Sequence, residues 1–224
     1  MAEVVVALDV PSGRDALALA ARLPGLRWAK VGPVLFVREG PAVVRELIAR
    51  GVRVFLDMKW HDIPSTVVSA VAAARELGVG MATVHCLGGD AMLAAARGAA
   101  GDVALVGVTV LTSHDAQQFE RVVGRGVPDL GVETERLARL AVGAGLRGVV
   151  AAGHDVGLLR GALGADPWLV VPGIRSAGDG RDDQTRAVTP AEAVRRGATH
   201  LVVGRPITRA ADPRDAYTRI LGEL

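Results

Sequence analysis

The chain has 224 residues, 50% hydrophobic and 22% charged, with 28 Gly, 11 Pro and a formal net charge of +2. These proportions exclude disordered, collagen-like and coiled-coil classes and leave an ordinary globular protein long enough for a full core. The longest stretch without a formal charge, Leu77 to Gly89, is too short for a membrane span of roughly 18 apolar residues, and one cysteine, Cys86, excludes an internal disulfide framework and fits a reducing cytoplasm.

Short β-branched runs alternate with helical patterns along the chain. Val4–Leu8 reads as the first strand; no basic n-region precedes it, so no secretory signal is expected. Ser12 then opens a helical pattern over Arg14–Leu23. Strand Trp28–Val31 is followed by helix Pro41–Arg50, closed by Gly51, and strand Val52–Leu56 by helix Ser65–Leu77, closed by Gly78. Met81–Val84 and Ala104–Val108 flank helix Ala91–Ala99. The next interval is longer and carries Asp115–Asp129, an extra short helix and loop, before helix Thr134–Ala144. Strands Gly148–Ala151 and Leu169–Val171 follow. Thr189-Pro190 opens helix Ala191–Arg196, closed by Gly197, and strand Leu201–Val203 leads to helix Pro213–Leu221.

Eight strands alternating with helices define either an eight-fold barrel or a doubly wound open sheet. The first strand lacks the Gly-x-Gly-x-x-Gly that marks a dinucleotide-binding turn. The reading is therefore a single-domain α/β protein, a (β/α)8 TIM barrel over residues 1–224, small beside a typical length of about 250.

Charge sharpens the reading. Basic residues are dispersed, the longest run is Arg195-Arg196, and aromatic residues are scarce, which argues against nucleic acid as a partner. All the basic residues are Arg except Lys30 and Lys59. Codon bias explains many arginines; two retained lysines point to a compact ammonium that can release a proton, which arginine in effect never does. Active sites of such barrels form at the C-terminal strand ends, and both lysines fall there. So do Asp9, Asp57-Met58-Lys59-Trp60-His61-Asp62, His85, Thr109 to Ser113, Pro172-Gly173-Ile174-Arg175 and Gly204-Arg205.

At strand periodicity Asp57 and Lys59 share a face. With Lys30 and Asp62 they form two carboxylates and two ammoniums able to alternate in one site; a structural ion-pair network would tolerate Arg in place of Lys. At Gly204-Arg205-Pro206, glycine admits an anion close to the backbone, Arg205 offers a forked donor and Pro206 suits a helical first turn, a layout for phosphate. The polar stretch 175–189 has the composition of a lid. The remaining histidines (His85, His114, His154 and His200) read as packing or surface residues.

These segments resemble one family. Ala7-Leu8-Asp9-Val10-Pro11, Lys30-Val31-Gly32, Asp57 through Thr66, Val108 through Ser113, Pro172-Gly173-Ile174-Arg175, Asp182-Asp183-Gln184 and Val203 through Ile207 are similar, in order, to the orotidine 5′-phosphate decarboxylase family. The resemblance implies a homodimer that converts orotidine 5′-phosphate to uridine 5′-phosphate and CO2 in pyrimidine biosynthesis, with no metal and no organic cofactor. It implies Lys59 as proton donor to C6, Asp57 against the substrate carboxylate, and Lys30 and Asp62 completing the array. Asp62 would reach in from the other subunit with Ile63 and Thr66. Asp9 would bind ribose hydroxyls and Thr112 the pyrimidine edge, while Arg175, Gln184, Gly204 and Arg205 would hold phosphate.

The chain departs from the family's usual wording at Met58, Trp60, Ser65, Pro33-Val34 and the Gly178-Asp179-Gly180-Arg181 that precedes Gln184; none of these removes a charged group. Two alternatives are a magnesium-dependent sugar-phosphate decarboxylase or aldolase of the same suprafamily, and a barrel that binds a nucleotide phosphate without turnover.

Overall fold

A computed structural model describes residues 2–175 and 188–224. Eight parallel strands close into one barrel in chain order, with β8 returning to pair with β1. The elements are β1 (Glu3–Ala7), α1 (Gly13–Arg22), β2 (Trp28–Val31), α2 (Pro33–Glu39), α3 (Ala42–Ala49), β3 (Arg53–Trp60), α4 (Pro64–Glu76), β4 (Met81–His85), α5 (Gly89–Ala99) and β5 (Ala104–Val108). Then come α6 (Ala116–Val123), α7 (Leu130–Gly143), β6 (Gly148–Val150), α8 (Val156–Leu163), β7 (Trp168–Val171), α9 (Pro190–Arg195), β8 (His200–Val203), α10 (Arg205–Thr208) and α11 (Pro213–Gly222). The expected barrel is the one found.

The local signals have physical counterparts. Ser12 caps α1 by accepting from the Asp15 amide, and Thr189 caps α9 by accepting from the Glu192 amide. The long β5–β6 interval does hold a short helix, α6, closed at its start by a reciprocal capping box between Asp115 and Gln118. Helices α2 and α8 stand in stretches where the sequence reading named no helix. Pro33 at the first turn of α2 and five apolar residues in the brief α8 are weaker signals than the long amphipathic runs elsewhere.

Alternation along the strands sorts residues into two apolar shells. Val4, Val6 and Leu8 of the first strand region face the helices, whereas Val5 and Ala7 face the barrel axis with Trp28, Phe55, Met81, Val106, Val170 and Val202. One step of two further along three of these strands brings Lys30, Asp57 and Thr83 to the same inward side. The axis therefore changes from apolar to charged toward the C-terminal mouth.

The opposite end is closed by rings. Trp168 lies 4.3 Å from His200 and 6.5 Å from Trp28, and Trp28 meets His200 edge-on at 5.7 Å. Arg53 and Arg147 cover the two indoles from outside at 5.2 and 5.1 Å. Burial, with the nearby charges of Arg53 and Arg147 adding to it, pushes the His200 imidazole down to about 4.

Candidate active site

Lys30 lies one residue before the end of β2, and its ammonium sits between two carboxylates, 3.1 Å from Asp9 Oδ1 and 3.7 Å from Asp57 Oδ2. Asp57 is buried on β3 and its other oxygen, Oδ1, lies 2.8 Å from Lys59 Nζ. The result is a row of alternating charge, Asp9–Lys30–Asp57–Lys59. The expected alternation is present, but within this chain its second carboxylate is Asp9 and not Asp62. Lys30 is nearly enclosed while the Lys59 side chain keeps 38% of its surface open, so the row runs from the barrel interior toward solvent.

The contact between Asp57 and Lys59 is not made by a regular strand. Leu56 pairs with Ala82 and Trp60 with Val84, so Asp57, Met58 and Lys59 together face the single residue Thr83. This bulge carries Lys59 at φ 51°, the sole described non-glycine residue with positive φ. Glycine does structural work nearby. A Cβ at Gly32 would stand 3.0 Å from Lys30 Nζ and 3.3 Å from Asp9 Oδ1, which would crowd that ion pair.

A cavity of roughly 270 Å³ opens at the mouth, lined by this row, by Thr112, Pro172, Gly173 and Arg175, and by Gly204, Arg205 and Thr208. Asp9, Lys30, Asp57, Lys59, Thr112, Arg175, Gly204 and Arg205 are thus brought together from six different strand ends. Asp62, Ile63 and Thr66 are not in that lining. They lie in a fully exposed stretch, residues 61–66, and Asp62 Oδ1 accepts the Ile63 amide at 2.6 Å where α4 begins. Gln184, with most of the stretch expected to act as a lid, lies outside the described residues.

Two residues of the site escaped sequence reasoning. Thr208 lines the cavity one helical turn after Arg205, a spacing visible in the sequence once α10 is placed. Thr83, buried behind the Asp57–Lys59 pair, carries no signal in a run of strand residues. His85, at the end of β4, stacks on His61 at 5.6 Å. Burial first, then the charges of His61, Lys59 and His114, lowers its imidazole to about 4, so it is neutral at physiological pH.

A parallel eight-stranded barrel with a charged cavity at the C-terminal ends of its strands has the layout of a barrel enzyme, in which residues from several strand ends converge on one site. The chain belongs to the orotidine 5′-phosphate decarboxylase / HUMPS family, whose model matches residues 2–220. It is 49% identical to the orotidine 5′-phosphate decarboxylase of Alkalilimnicola ehrlichii over 99% of this chain and 95% of that protein. With the enzyme of the same name from Laribacter hongkongensis it shares 47%, over 98% and 92% of the two chains. The crystal structure of orotidine 5′-phosphate decarboxylase from Lactobacillus acidophilus superposes with a TM-score of 0.88 at 34% identity, covering 100% of this chain and 99% of that one.

Proposed function

We propose that this protein decarboxylates orotidine 5′-phosphate to uridine 5′-phosphate, with Lys59 as the proton donor and with no cofactor. The observation that carries the reading is the Asp9–Lys30–Asp57–Lys59 row beside a cavity whose lining also offers Gly204, Arg205 and Arg175.

The chemistry follows from the charges. The bond from C6 to the carboxylate carbon breaks, CO2 leaves and the electron pair stays on C6. The Lys59 ammonium stabilises that developing charge and then transfers a proton to C6, leaving a neutral amine that regains its proton from water. Asp57 holds the ammonium in place before substrate arrives, so the stabilising charge needs little reorganisation during reaction. Arg205, Arg175 and Gln184 grip the phosphate, remote from C6, and that binding energy closes the site. Asp9 takes the ribose hydroxyls and Thr112 the pyrimidine edge. Asp62, Ile63 and Thr66 act in the site of a second subunit, so the working unit is a homodimer.

The test is the loss of orotidine 5′-phosphate absorbance with purified protein in excess chelator. Full turnover under chelation, with orotidine lacking the phosphate a very poor substrate, is the expected result. Chelator-sensitive activity points instead to a magnesium-dependent relative, and tight binding of uridine 5′-phosphate without turnover to a non-catalytic barrel.

A further inference from the structure

Lys59 and Asp57 lie at a point where the β3–β4 ladder is broken, and something must replace the backbone pairing lost there. The one β4 residue opposite the bulge is Thr83, which is wholly buried. Its hydroxyl accepts the Lys59 amide N–H at 2.8 Å and donates to Asp57 Oδ1 at 3.1 Å. A hydroxyl has one proton to give and lone pairs to receive with, so both bonds coexist.

We infer that Thr83 is a positioning residue for the proposed reaction: its hydroxyl clamps the left-handed backbone of Lys59 and the carboxylate of Asp57 at once, and so sets where the ammonium points. Three facts converge on it. Left-handed backbone is unfavourable for a long side chain and persists only where surroundings hold it. The Lys59 N–H has left the strand ladder, and the Thr83 oxygen is its partner. The same Asp57 oxygen that receives the Thr83 hydroxyl also contacts Lys59 Nζ at 2.8 Å, so one side chain orients both members of the pair. Thr83 does not line the cavity, and it acts on substrate only through Lys59 and Asp57.

The inference rests on the proposed decarboxylation and is tested with two variants and two kinds of measurement. Thr83→Val keeps the shape and removes both hydrogen bonds; Thr83→Ser keeps the hydroxyl. The valine variant should lose about 30-fold or more in kcat, while KM and uridine 5′-phosphate affinity stay within about threefold, and the serine variant should recover to within about threefold of wild type. Wild-type kcat in the valine variant overturns the inference. So does a serine variant as slow as the valine one, because then the methyl group matters and the hydroxyl does not. Loss of product binding in parallel with turnover also overturns it, by making Thr83 a general support of the site.

Crystal structures of the two variants give a readout that needs no substrate. With valine, Lys59 should leave the left-handed region and its Nζ should part from Asp57, with both restored by serine. Lys59 unmoved in the valine variant refutes the positioning role, whatever the reaction proves to be. If the valine protein does not fold, Thr83→Ala takes its place in the same comparisons. A wild-type enzyme inactive on orotidine 5′-phosphate counts against the proposed function alone, leaving the structural comparison to decide the role of Thr83.

Discussion

Lys59 carries two requirements on one residue: a left-handed backbone and an ammonium that reaches Asp57. Arginine bears the backbone as lysine does but meets the second requirement poorly. Its guanidinium is planar, longer and in effect never deprotonated, so it keeps the charge and loses both the proton and the compact fit. Lys59→Arg should therefore fold with normal thermal stability and bind uridine 5′-phosphate, yet turn over orotidine 5′-phosphate at well under about a tenth of the wild-type rate. Steady-state kinetics and calorimetry on the same preparation check this. A variant that keeps a tenth or more of the turnover removes Lys59 from the role of proton donor.

Among the elements, the strands that build the site also build the floor beneath it. β2 carries Trp28 at one end and Lys30 near the other, and β8 runs from His200 to the Gly204-Arg205 turn. The floor has a titration of its own. His200 is held near 4 in the folded protein against an ordinary value of 6.5, so the unfolded chain binds the proton more readily. Its contribution to stability is complete above about pH 6.5 and is lost as the pH falls toward 4. His200→Phe keeps an aromatic ring in the stack and removes the titration. Thr199 Oγ1, which His200 Nδ1 approaches at 2.9 Å, still bonds the Leu169 amide and carbonyl at 3.0 and 3.2 Å. Between pH 7.5 and 4.5 the wild type should lose on the order of 2–3 kcal/mol more than this variant in urea unfolding. Parallel losses in the two proteins would show that His200 is not the group responsible.

For the whole molecule the question is where Asp62 works. Residues 61–66 are exposed, and Ile63 leaves 64% of its surface open. If Asp62 completes the site of a partner subunit, Lys59→Ala and Asp62→Ala homodimers are both nearly inactive for different reasons. A mixed dimer then holds one site with both substitutions and one with neither. Random pairing of equal amounts makes half the dimers mixed, so about a quarter of all sites should recover full activity. The two variants are unfolded and refolded together and compared with each refolded alone. Proven heterodimers without recovery would assign Asp62 to the same subunit's site as Lys59.

Much of this protein is decided by the sequence alone, because the relevant signals are local. The apolar runs, the Ser12 and Thr189 caps and the restriction of lysine to two strand ends each act within a few residues, and they identify the barrel, its order and most of the cavity lining. Short helices such as α2 and α8 escape that reading because little local propensity holds them; packing against the barrel does. Tertiary structure decided the rest of the site. Strand periodicity places Asp57 and Lys59 on one face, but the bulge that orients them exists only because β3 and β4 pair out of step. Thr83 acquires its position between them from a strand more than twenty residues away, and Asp9 joins the charge row of its own chain through the pairing of β1 with β2. No sequence spacing encodes such contacts, since they depend on which strand ends the closed barrel brings face to face.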